Sequence, residues 1–102
     1  MNFLMTLMTL DTLRMKRKEI LALADRHKAE QVRVFGSLAR GETGATSDID
    51  LLVHFRSGAS LLDLIGLQQE ASDLMHRSVD IVSDEAISPY LVRRILSEAV
   101  PL

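Results

Sequence analysis

Between Gly36 and Val53 the chain holds residue types and spacings that suit phosphate chemistry. Gly36-Ser37-Leu38-Ala39-Arg40-Gly41 reads as a glycine turn, and ten residues lie between Ser37 and the pair Asp48-Ile49-Asp50. Gly36 lets the backbone approach an anion closely, and Ser37 offers a hydroxyl and an N–H at the start of an expected helical turn. Arg40, one turn on, adds a planar delocalised charge suited to phosphate oxygens. Gly-Ser pairs also occur in ordinary turns and arginines on ordinary surfaces, so the turn alone does not define a site. The aspartates carry more weight. Spaced two apart on a strand, Asp48 and Asp50 project from one face, and their hard oxygens suit magnesium ions, roughly 3.5–4 Å apart in two-metal sites. The plain alternative is an Asx turn opening a strand. Asp80 weighs against it, because it interrupts the β-branched run Val79-Asp80-Ile81-Val82 and can reach the pair from a neighbouring strand. Three converging carboxylates repel one another unless cations neutralise them.

The elements that must position these residues follow from periodicity. Leu10, Leu13, Ile20 and Ala24 recur at helical steps and predict one amphipathic helix from Thr9 to about Lys28, with Thr9 or Asp11 as N-cap and His27 meeting its carbonyl end. Arg14-Met15-Lys16-Arg17-Lys18 reads as its solvated face. Gln31–Phe35 predicts a short strand running into Gly36, and Ser37–Arg40 the first turn of a helix ended by Gly41 and Gly44. A second strand spans Asp48 to about Phe55, with Asp48, Asp50, Leu52 and His54 on one face. Ser60 and Asp63 have capping-box spacing for a helix to about Met75, whose wide apolar face (Leu61, Leu64, Ile65, Leu67, Ala71, Leu74, Met75) predicts packing on the sheet. Val79–Val82 is a third strand. Ser88 and Pro89 open a last helix with Leu91, Val92, Ile95, Leu96 and Ala99 as its buried stripe and Pro101 near its stop.

The chain has 102 residues, 47% of them hydrophobic and 25% charged, which suits one small α+β domain, a mixed sheet flanked by helices. A net charge of −2 argues against nonspecific nucleic-acid binding. The absence of cysteine excludes disulfides and thiolate metal sites and fits a cytoplasmic setting. The apolar opening, residues 1–8, lacks a basic leader and falls short of the ~20 residues of a membrane span. Met5, Met8 and Met15 follow Met1 closely, so Met8 is a candidate native start and residues 1–8 an expected extension, frayed or packed on a neighbour.

Gly36-Ser37, ten intervening residues, Asp48-x-Asp50 and a later Asp80 resemble the signature of the DNA polymerase β nucleotidyltransferase superfamily. More narrowly, Gly-Ser-Leu-Ala-Arg-Gly with Ser-Asp-Ile-Asp-Leu-Leu-Val resembles the minimal nucleotidyltransferases, the MNT antitoxins paired with HEPN toxins. The resemblance implies a polymerase β-like fold, ATP as substrate and two Mg²⁺ ions. Gly36 and Ser37 would hold the terminal phosphates, with Arg40 as a further phosphate contact. Asp48 and Asp50 would ligate both ions. Asp80 would ligate one and help activate the attacking hydroxyl. It also implies an acceptor supplied by a HEPN toxin, modified with AMP on a tyrosine, in a homo- or hetero-oligomer. Two other readings stay open: an antitoxin acting by contact alone, and a small-molecule nucleotidyltransferase of antibiotic-modifying type, which would need an acceptor domain. His54 is expected to be a satisfied histidine at a strand end. Glu42 and Ser47 border the linker, and Tyr90 is expected to pack with its hydroxyl outward.

Overall fold

The computed structural model describes residues 8–42, 48–85 and 88–102. The described chain runs α1 (Leu10–Arg14), α2 (Arg17–Arg26), β1 (Ala29–Phe35), β2 (Ile49–Phe55), α3 (Leu61–Met75), β3 (Val79–Ser83), α4 (Pro89–Glu98) and β4 (Val100–Pro101). The four strands form one sheet in the order β3-β2-β1-β4. β1 pairs antiparallel with both β2 and β4, whereas β2 and β3 run parallel and are joined through α3. A parallel pair requires such a crossover, and the helix buries one face of the sheet in providing it.

The expected single helix over Thr9–Lys28 is broken. Thr9 caps α1 as expected, accepting from the Thr12 N–H, but the ladder shortens to i→i−3 bonds at Met15 and Lys16 before α2 begins. The break brings Arg14 and Arg17 to bear on the end of the described chain. Arg14 Nε donates to the Leu102 carbonyl at 3.0 Å and Arg17 Nε to the same oxygen at 2.8 Å. His27 does more than face the end of α2: its ring pairs with Glu70 and lies 3.8 Å from Asp63, both on α3. Gly66 permits this crossing, since a Cβ there would stand 2.6 Å from His27 Cε1.

β1 begins two residues earlier than expected, with an irregularity between Glu30 and Arg33 where Gln31 takes φ +53°. The capping box at Ser60 and Asp63 forms, and α3 ends at a left-handed His76. Its apolar face divides. Leu67 and Ala71 are buried and Leu64, Leu74 and Met75 pack partly on the core, but Leu61, Leu62 and Ile65 are exposed. α4 starts at the Ser88 cap with Pro89 as expected, yet none of its residues is buried, and Leu91 and Leu96 are exposed. Tyr90 does not pack; it is 78% exposed. β4 was not expected, because two residues carry no periodicity. Its Pro101 sits on an edge strand, where the missing N–H costs no ladder bond.

The core lies between the sheet and α2 with α3: Leu13, Ile20, Ala24, Val34, Ile49, Leu51, Val53, Leu67, Ala71, Val79 and Ile81 are buried together. Met8 joins this cluster and so does not fray as expected; residues 1–7, like Gly44 and Ser47, lie outside the described residues.

Candidate active site

The sheet assembles the expected acidic residues. The β1–β2 register places Phe35 opposite Asp50, and the parallel β2–β3 register places Asp50 opposite Asp80. One row across three strands therefore runs from the entrance of the glycine turn to both aspartates. Asp50 is half-buried, Asp80 is exposed, and Asp48 stands exposed one residue before β2. Gly36 takes φ +76°, and a Cβ added to it would run into Asp50 Oδ2. Only glycine lets the turn lie this close to the carboxylate.

The turn itself differs from expectation. Residues 36–41 make successive turns: the Arg40 N–H donates to the Gly36 carbonyl at 3.2 Å, Gly41 to Leu38 at 3.1 Å and Glu42 to Ser37 at 2.9 Å. Among the described residues no helix grows from Ser37, so no macrodipole would add to an anion site here, which would rest on individual N–H groups and on Arg40. Arg40 is engaged, with Nε on Glu42 Oε2 at 2.9 Å and Nη1 3.3 Å from each carboxylate oxygen of Glu98. Glu98 Oε1 also accepts from the Gly36 N–H at 3.0 Å. Sequence reasoning missed Glu98. Its only signal is an acid at the end of an amphipathic helix, and nothing local ties it to a turn sixty residues away.

Charge is concentrated at Asp50. Burial raises its proton affinity, the neighbouring carboxylates of Asp80 and Asp48 raise it further, Arg40 opposes them, and Glu98 adds to the rise. The donor set of three hard carboxylates fits a magnesium-type cation, which would relieve this repulsion. Among the described residues, however, the trio whose ligand atoms all lie within 4.8 Å of one another is His54, Asp84 and Glu85, not the three aspartates. Two of the trio, His54 and Asp84, belong to a structural network. His54 Nδ1 lies 3.1 Å from Asp84 Oδ1, Arg33 Nη2 donates to Asp84 Oδ2 at 3.2 Å, and the hydrogen bond to Asp84 raises the proton affinity of His54. His54 is thus a satisfied histidine, four residues along β2 from Asp50. Glu42 acts on Arg40, from the rim of the turn.

Between the turn and α4 lies a cavity of about 320 Å³, lined by Phe35, Gly36, Arg40, Leu91, Arg94, Ile95 and Glu98. A glycine turn, a row of carboxylates and an adjoining partly apolar cavity together suit a nucleotide.

Residues 16–102 match the nucleotidyltransferase domain family. A Methanocaldococcus jannaschii protein provisionally named as a protein adenylyltransferase is 42% identical over 84 residues, which is 82% of this chain and 90% of that protein. A solved structure provisionally described as a minimal nucleotidyltransferase superposes with a TM-score of 0.84 at 48% identity, covering 93% of this chain and 97% of the other. A chain from the structure of a tri-AMPylated Shewanella oneidensis HEPN toxin with MNT antitoxin shares the fold, with a TM-score of 0.67 and 19% identity over 86% of this chain and 69% of that one. The match along most of the chain and the superposed fold lead to one assignment: the chain belongs to the nucleotidyltransferase domain family and, within it, to the minimal nucleotidyltransferases.

Proposed function

We propose that this nucleotidyltransferase moves AMP from ATP onto a side-chain hydroxyl of a HEPN toxin, tyrosine first among the candidates, and so serves as the toxin's antitoxin in the cytoplasm. The observation that carries the reading is the row Phe35–Asp50–Asp80, with Gly36 pressed against the Asp50 carboxylate. In this scheme Gly36, Ser37 and Arg40 bind the departing phosphates. Asp48, Asp50 and Asp80 would hold two magnesium ions, which when bound would neutralise phosphate charge and ease deprotonation of the attacking hydroxyl. The hydroxyl oxygen bonds to the α-phosphorus, the bond from that phosphorus to pyrophosphate breaks, and the hydroxyl proton passes to Asp80 and on to solvent. Support for a protein acceptor comes from the name of the M. jannaschii relative and from the AMP-modified toxin in the Shewanella complex.

The test is transfer of label from ATP, with magnesium, to the product of a neighbouring HEPN gene. Wild type should label it, and Asp48→Ala and Asp80→Asn should not. Neutralisation of the toxin by unlabelling variants, equal to that of wild type, would replace the enzymatic reading with one of blockade by contact.

A further inference from the structure

We infer that Glu98 is a built-in phosphate mimic: its carboxylate occupies the anion-binding donors of the glycine turn in the free protein, and nucleotide binding must expel it. The inference rests on the phosphate role proposed for Gly36 and Arg40. Two of the three residues that would meet a phosphate are engaged by this one side chain, the Gly36 N–H at 3.0 Å and Arg40 Nη1 at 3.3 Å to each oxygen. A carboxylate presents two oxygens to a backbone N–H and a guanidinium much as a phosphate does, so the two ligands compete for the same donors. Gly36, whose N–H the Glu98 carboxylate holds, is itself pressed against the Asp50 carboxylate. A triphosphate and a retained Glu98 carboxylate would therefore add like charge to a site already rich in it.

The element that carries Glu98 is suited to release it. α4 has no buried residue, whereas the chain after it is fastened: Val100 and Pro101 pair with β1, the Leu102 N–H donates to the Val32 carbonyl at 3.1 Å, and Arg14 and Arg17 hold the Leu102 carbonyl. Release of Glu98 thus frees the helix on one side of a fixed strand. Nucleotide occupancy becomes legible on α4, where Tyr90, Leu91 and Leu96 are exposed.

A placeholder multiplies apparent affinity by the fraction of molecules in which it is released. Calorimetric titration with Mg-ATP, without acceptor protein, should give about fivefold tighter binding for Glu98→Gln and Glu98→Ala than for wild type. Arg40→Ala should bind more weakly. On adding Mg-ATP to wild type, amide hydrogen exchange should speed up across residues 92–98 and stay unchanged at Leu102. Wild-type binding with equal or weaker binding by both Glu98 variants would overturn the mimic, leave the phosphate site standing and make Glu98 a positioning residue for Arg40. Binding by none of the four proteins would remove the phosphate site itself, and the mimic with it.

Discussion

On the side of the sheet under α2 and α3, Val32, Val34, Ile49, Leu51, Val53, Val79 and Ile81 are each at most 7% exposed. On the side under α4, the same three strands carry Arg33, Asp50, His54 and Asp80, with Leu52 as the buried apolar residue among them, and α4 itself buries nothing. The strands alternate, so each supplies both faces, but the two faces receive different partners. One holds the fold together. The other can then keep mutually repelling carboxylates and a loosely seated helix, because the domain does not depend on that face for its cohesion. Substitutions on the two faces should accordingly separate stability from activity.

The largest effect expected on the site face is catalytic. Asp50→Asn should slow transfer on the order of 10³-fold, comparable to losing a major charge-stabilising group, while the metal-free protein becomes more stable at neutral pH. The sign follows from linkage. Folding raises the proton affinity of Asp50 through burial and through Asp80 and Asp48, so the stability tied to its protonated form is present below the ordinary aspartate range and is lost as pH rises through the folded pKa. Wild type without metal should gain stability on acidification across that window, and Asp50→Asn should lose that gain. Thermal unfolding from pH 7 to 4 in chelator measures both. A lower melting temperature for the variant at pH 7 would show that the carboxylate supports the fold and would erase the contrast between the faces.

Leu51→Ala tests the opposite face. Leu51 is 2% exposed at the centre of the core, one residue from Asp50 but on the other side of the sheet. Its truncation should cost about 3 kcal/mol in urea unfolding, while nucleotide affinity at a temperature where the variant is folded stays near wild type. Gly36→Ala should join the two outcomes. The added Cβ meets Asp50 and the residue must keep φ +76°, so a loss of about 2 kcal/mol is expected along with loss of Mg-ATP binding. Retained binding in calorimetry would mean that the turn can move away from Asp50 without harm to the site.

The candidate site was legible in the sequence to the extent that it depends on strand geometry. Asp48, Asp50 and Asp80 stand out because residues two apart at the start of a strand share a face and because a charge inside Val79–Val82 has no local explanation. The parallel register then brings Asp50 and Asp80 together. What could not be read depends on contacts distant in sequence. Helix α1 parts from α2 where Arg14 and Arg17 turn toward Leu102, β4 exists because β1 offers a free edge, and Glu98 reaches a turn that its own neighbourhood never mentions. The helix expected after Gly36 reflects a different limit, since a glycine turn followed by good helix formers is compatible with successive turns when Gly41, at φ +82°, follows so soon.

The smallest effect is expected where sequence and structure disagree most. The periodicity of Leu91, Val92, Ile95 and Leu96 is that of a core-facing stripe, and a core-facing leucine replaced by a polar residue would cost several kcal/mol. In the fold this stripe meets the polar face of the sheet, with Leu91 41% and Leu96 42% exposed. Leu96→Ser should therefore change unfolding free energy by no more than about 0.5 kcal/mol, the range of ordinary surface substitutions. The amphipathic pattern then records a surface that α4 offers rather than one it buries. In a folded monomer, a urea midpoint shift equivalent to about 2 kcal/mol would mean that α4 packs more tightly than its exposure indicates. That result would make the site-side helix a structural element like α3, and the division between a cohesive face and a chemical face would have to be redrawn through α4 itself.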